Sequence, residues 1–150
     1  MQKITTFLMF NDQAGEAMKF YTSVFKNAKI VSEMDFGSGV MGGTFEIEGQ
    51  QFFTYNGGDY FKFEQGMSLF VNAPTQEEID YLWDALSEGG EKQQCGWVKD
   101  KFGVSWQIIP PTLMELLSDK DPGRSKRAMD AMLQMQKIDI QQLKDAADGK

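Results

Sequence analysis

The strongest constraint on this chain is a faint internal repeat: Phe10-Asn11 through Phe25 overlays Val71-Asn72 through Leu86 at a constant offset of 61 residues. Asn11 falls on Asn72, Glu16 on Glu77, Met18 on Ile79, Phe20 on Tyr81 and Phe25 on Leu86. Each copy follows an apolar strand-like run, Ile4 to Phe10 and Met67 to Val71, and precedes further strand-like sequence. Self-similarity of this kind predicts a supersecondary unit used twice. Two strand-helix-strands units side by side enclose a cleft, and the residues lining it decide what the chain can do.

Local signals divide each copy. Ile4 to Phe10 reads as a buried strand, with Asn11 or Asp12 placed to cap a helix that carries Ala14, Ala17, Met18, Tyr21 and Phe25 at helical spacing. Strands are expected at Lys29 to Met34, Val40 to Ile47 and Gln51 to Asn56, with Glu48-Gly49 turning the last two into a hairpin. In the second copy Thr75 and Glu78 form a capping-box pattern before Ile79, Leu82, Trp83 and Leu86, and Gly89-Gly90 stops the helix. Strands should follow at about Gln94 to Val98 and Gly103 to Ile109, ended by Pro110-Pro111. From Thr112 the pattern is helical, with Asp121 and Asp139 at expected N-caps. The methionines around Met132 are expected to cover the sheet or a partner subunit, and the charges from Asp119 to Arg127 to form a solvated surface.

Composition narrows the function. At 150 residues and 41% hydrophobic, the chain has apolar material for one well-packed domain. A net charge of -7 argues against nucleic-acid and anionic-membrane partners, which need clustered positive charge. The start Met1-Gln2-Lys3-Ile4 shows no basic segment before an apolar core, and no apolar run approaches a bilayer span, so the expected location is cytoplasmic. The single cysteine, Cys95, agrees with a reducing compartment.

No histidine occurs anywhere, which removes Ser-His-Asp and Cys-His catalysis, histidine bases and histidine metal ligands. The glycines of Gly37-Ser38-Gly39-Val40-Met41-Gly42-Gly43 fall between expected strands, with no helix start to receive a phosphate, and read as a hairpin or flap. The first strand leads to Asn11-Asp12-Gln13-Ala14-Gly15 rather than to the glycine-rich turn usual for S-adenosylmethionine. No methyltransferase signature is present.

The segment from Gln93-Gln94-Cys95-Gly96-Trp97 to Ile109-Pro110, with Phe20-Tyr21, Tyr55-Asn56-Gly57-Gly58 and Ala131-Met132-Leu133-Gln134-Met135-Gln136-Lys137-Ile138-Asp139, carries a family resemblance. The chain resembles the PhnB-like branch of the vicinal oxygen chelate superfamily, which includes glyoxalases, bleomycin-resistance proteins and dioxygenases. Members of this branch often carry a demethylubiquinone methyltransferase label. The resemblance implies an α+β fold of paired βαβββ modules, here expected over residues 1–58 and 66–110, with a C-terminal helical extension over 111–150. Metal-using relatives take ligands from the first and last strands of each module. Those positions correspond to Thr5 or Thr6, Phe52, Met67 or Ser68, and Gln107, of which only Gln107 is a conventional ligand. No metal and no cofactor is therefore expected, and Glu33, Asp35 and Glu46 are expected on the solvent face.

Strand alternation selects candidate ligand-binding residues. If Gln107 faces the cleft, Ser105 and Ile109 share its face, and Val104, Trp106 and Ile108 pack against helices. The same parity groups Phe52, Thr54 and Asn56 opposite Phe53 and Tyr55, and Cys95 with Trp97 opposite Gln94, Gly96 and Val98. The resulting candidates are Asn56, Cys95, Trp97, Asp100, Ser105 and Gln107, an aromatic, amide-rich set suited to a planar or partly apolar small molecule. No catalytic residue is assigned. Cys95 has two readings, a thiol activated by Lys92, Lys99 or Lys101 and a small buried hydrophobe. The expected function is small-molecule binding, or an unassigned reaction, without metal. The alternatives are a metal-dependent lyase, isomerase or dioxygenase and a non-catalytic interaction domain. A homodimer is expected, with the apolar C-terminal helices offering surface for it.

Overall fold

The computed structural model describes residues 2–150, which fall into two compact units with their boundary between Lys62 and Phe63. The first unit runs β1 (Thr6–Phe10), α1 (Ala14–Val24), β2 (Ala28–Asp35), β3 (Val40–Ile47) and β4 (Gln50–Asn56). Its sheet has the order β1-β4-β3-β2, with β1 parallel to β4 and the other neighbours antiparallel. Alternation along the strands gives the sheet two unlike faces. Leu8, Phe10, Phe45, Phe52 and Thr54 are buried on the face that α1 covers with Ala17, Met18 and Tyr21. Tyr21 lies 5.5 Å from Phe45, which stacks on Phe52 at 4.9 Å between ring centres. On the other face stand Phe7 with Phe53 and Met9 with Tyr55, each pair in register.

Two details of this unit depart from, or sharpen, the sequence reading. Neither Asn11 nor Asp12 caps α1: the helix has Gln13 at its N-cap, without a side-chain bond, and the Ala14 N–H donates to Asn56 Oδ1 at 2.8 Å. Asp12 has a left-handed backbone (φ 66), and the register Phe10↔Asn56 delivers the amide of β4 to the helix start instead. The Glu48-Gly49 turn forms as expected, both residues having positive φ. Gly42 is required where it stands, since a Cβ there would lie 2.3 Å from the Thr54 carbonyl oxygen.

The second unit repeats the plan with β5 (Leu69–Asn72), α2 (Gln76–Ser87), β6 (Glu91–Lys92), β7 (Trp97–Lys99) and β8 (Ser105–Ile109), in sheet order β5-β8-β7-β6. Thr75 caps α2 by accepting the Glu78 N–H at 3.2 Å. Of the repeat positions, Met18 and Ile79 are both buried, as are Tyr21 and Leu82. The strand expected from Gln94 begins only at Trp97. Cys95 (φ 60) and Gly96 (φ 83) are both left-handed and form a turn, so Cys95 has no strand parity with Trp97. The short β6 had no signal of its own in the sequence.

The loop between β7 and β8 closes around Asp100. This carboxylate is 2% exposed; Oδ1 accepts the N–H groups of Phe102 at 2.9 Å and Val104 at 3.0 Å, and Oδ2 accepts Trp106 Nε1–H at 2.9 Å. Three donors on one carboxyl group give both of its buried oxygens hydrogen-bond partners.

Three helices follow: α3 (Pro111–Leu117), α4 (Pro122–Leu133) and α5 (Ile140–Ala147). Asp121 and Asp139 cap α4 and α5 through the Gly123 and Gln142 N–H groups, as their positions implied. Leu113, Met135, Ile138 and Leu143 form an apolar cluster on Ile109 at the end of β8, with Met132 packed against it. Each such side chain contributes about 1.5–3 kcal/mol when removed from water. The Gln76 carboxamide brackets the α4–α5 connection, donating to Ile138 O at 3.0 Å and accepting the Ile140 N–H at 2.9 Å. The charges from Asp119 to Arg127 are not merely solvated: Arg124 pairs with Asp119 and Asp148, and Arg127 donates to the Ala146 and Ala147 carbonyls at the end of α5. Among the described residues, no helix is long and apolar enough to cross a membrane.

Two outcomes follow from these contacts. Asp100→Asn sets an amide donor against donors it cannot satisfy and should lower unfolding stability by ~2–4 kcal/mol. Urea denaturation reads this as a lower midpoint, and an unchanged midpoint would contradict the clasp. The second outcome concerns pH. Asp80 is held below the ordinary carboxylate range by hydrogen bonds from Gln76 and Lys137, Asp119 by the Asp121 N–H and Arg124, and Asp148 by Arg124. Carboxylates with lowered folded pKa stabilise at neutral pH, and that stability is lost as pH falls from ~4 through the lowered values. Protection factors of the α4 and α5 amides, taken against the intrinsic exchange rate at each pH, should therefore fall below about pH 4. Protection that stays flat down to global acid unfolding would show that these ties contribute nothing.

Candidate functional site

In the second unit α2 occupies one face of the sheet, over Val98, Trp106 and Ile108, all buried. The opposite face carries a row set by strand register: Phe70 on β5 pairs with Gln107 on β8, which pairs with Trp97 on β7. Phe70 is 47% exposed, while Gln107 and Trp97 are half-buried. Gln107 Nε2 donates to Ser68 Oγ at 2.9 Å, which fixes the carboxamide and leaves its oxygen directed to acceptance. Ser105 lies two residues back on the same face, buried and paired with Lys99. Ile109, at the other end of that face, is covered by the C-terminal cluster.

The six candidates thus separate. Trp97 and Gln107 are brought together, with Ser105 beside them. Cys95 sits half-buried in the turn before β7, where its N–H donates to Met135 O at 2.8 Å. Asp100 is committed to the β7–β8 loop, and Asn56, in the first unit, to the start of α1. Sequence reasoning did not single out Phe70; the signal that finds it is the parallel register of β5 on β8, which needs the partner strand to be known.

A groove adjoins Trp97. It is an open groove of about 470 Å³, lined by Gln65, Gln93, Gln94 and Gln136 together with Trp97, Glu91 and Lys92. Gln65 Nε2 donates to Gln93 Oε1 at 3.2 Å. These four glutamines come from three separate segments, and no motif joins them.

The sequence resemblance implies metal ligands in some relatives at the positions of Thr5 or Thr6, Phe52, Met67 or Ser68, and Gln107. Phe52, one of the corresponding positions, lies on the helix-covered face stacked on Phe45; Phe53 occupies the open face instead. Phe53 and its register partner Phe7 make an edge-on aromatic pair at 6.3 Å. The open face of the second unit supplies an amide and hydroxyls. Among the described residues no group of three or more His, Cys, Asp or Glu side chains could hold a metal ion. These residues do not fit a conventional divalent site, and no chemical step is assigned to one.

The two βαβββ units have the architecture that the sequence resemblance implied, and comparison with known proteins adds a family. The family model described as 3-demethylubiquinone-9 3-methyltransferase matches residues 2–109. A solved structure from Bacillus cereus, described as a putative 3-demethylubiquinone-9 3-methyltransferase, PhnB protein, is 39% identical, with a TM-score of 0.67 over 73% of this chain and 99% of that one. Protein PA1353 from Pseudomonas aeruginosa is similar in fold at 21% identity, with a TM-score of 0.62 over 73% of this chain and 98% of that one. Among curated proteins none matches. The family match ends where β8 ends, so α3, α4 and α5 lie beyond it. The chain belongs to this PhnB-like family.

Proposed function

We propose that this protein binds a planar or partly apolar small molecule on the open face of its second sheet, without a metal. The observation that carries the reading is the row Phe70–Gln107–Trp97. Aromatic side chains at both ends offer stacking surface, and the central carboxamide, held by Ser68, orients a polar group between them. The arrangement contains no positioned base or nucleophile, so binding is what these side chains support directly. Homodimerisation belongs to the same proposal: Phe7 at 53% and Phe53 at 40% exposure leave apolar sheet surface of the kind that self-association covers.

Methyl transfer is the second reading, favoured by the family description alone. The glycine-rich segment ends inside β3 after the β2–β3 connection, and the turn into α1 is not glycine-rich. Calorimetric titration with S-adenosylmethionine should show no saturable heat, whereas a micromolar complex would favour methyl transfer.

Native mass spectrometry of the purified protein should detect a retained small molecule. Trp97→Ala or Gln107→Ala should each weaken its retention about tenfold, the loss of roughly one good contact. Retention unchanged in both variants would contradict the site. Prolonged dialysis against a chelator should leave retention and melting temperature unaltered, and a fall in either would overturn the metal-free part.

A further inference from the structure

We propose that the groove beside Trp97 is a binding site for a neutral saccharide, and that the C-terminal extension builds one of its walls through Gln136. The proposal shares Trp97 with the reading above but otherwise uses different residues. Four primary amides converge there, and each both donates and accepts hydrogen bonds without carrying charge. A sugar ring has the matching pattern, because every hydroxyl also donates and accepts. Its C–H faces pack on an indole, and Trp97 is the aromatic side chain of the groove.

Charge points the same way. Glu91 and Lys92 bring one negative and one positive group, so the lining offers no excess of cations for a phosphate or other anion. The groove is open, so a ligand keeps part of its hydroxyl shell in water and avoids the cost of burying polar groups unpaired. Its volume of about 470 Å³ lies within the range of small-ligand sites, ~300–1,000 Å³.

The walls are tied together before any ligand arrives. Cys95 and Gly96 donate their N–H groups to the Met135 and Gln136 carbonyls, both at 2.8 Å, which locks the turn before β7 to the α4–α5 connection. The left-handed backbone at both turn residues aims these two successive N–H groups at the extension. At Gly96 any side chain would collide, since a Cβ would lie 2.7 Å from Ile109 Cδ1 and 3.0 Å from Ile108 O. Gln93 is fixed in turn by its N–H to Trp97 O at 2.9 Å and by the Gln65 amide. Gln136 lies on the C-terminal extension, outside residues 2–109 matched by the family model.

The test uses the whole protein labelled with ¹⁵N and titrated with neutral disaccharides: maltose, cellobiose, lactose and N,N′-diacetylchitobiose. At least one should shift the Trp97 indole N–H and the side-chain amide signals of Gln94 and Gln136 in a saturable way. Gln136→Ala, which removes only a solvent-facing side chain, should weaken that binding about fivefold, and Trp97→Ala should abolish it. Gln107→Ala should leave it unchanged, which separates this groove from the open sheet face. The proposal is overturned if none of the four sugars shifts these signals, if Gln136→Ala binds as the parent does, or if uridine competes more strongly than the best sugar.

Discussion

The geometry of the second unit depends on one buried carboxylate. Asp100 gathers two backbone N–H groups and the Trp106 indole, closing the chain between β7 and β8 and setting the pairing of Lys99 with Ser105. Because side chains alternate along a strand, that register also places Trp97 opposite Gln107. A slip of one residue would turn Gln107 into the α2-packed core and expose Trp106. The stability of the hairpin and the composition of the open face are therefore two results of the same interaction.

A second constraint comes from the extension. Its three helices hold no sheet position, yet their apolar cluster rests on Ile109, and Gln76 and the Cys95-Gly96 turn grip the α4–α5 connection. Covering Ile109 leaves Gln107 and Ser105 as the polar remainder of that strand face. The extension thus limits the open face at one end and supplies Gln136 to the groove next to it.

Much of the fold was legible because its signals are local. The offset between Met18 and Ile79 reports two helices with equivalent buried positions, and Thr75, Asp121 and Asp139 mark helix starts by side chains that reach only two or three residues ahead. The failures were non-local. Asn56 caps a helix that begins 42 residues earlier, which no windowed reading of Asn11-Asp12 can anticipate. Cys95 looked like a strand residue because Trp97 and Val98 follow it closely, whereas hydrogen bonds to Met135 and Gln136 hold a left-handed turn there. Parity put Ser105 and Ile109 on the face of Gln107, but the meeting of Gln107 with Trp97, the inward commitment of Asp100 and the arrival of Phe70 depended on pairing between strands.

The central claim is that a small molecule meets the row Phe70–Gln107–Trp97. The most direct measurement compares ¹⁵N spectra of the protein as purified with spectra of the same protein stripped by unfolding and refolding. The Gln107 carboxamide and Trp97 indole signals should move between the two samples and return when the stripped fraction is added back. Identical signals at both positions, or changes confined to the first unit around Phe7 and Phe53, would contradict it.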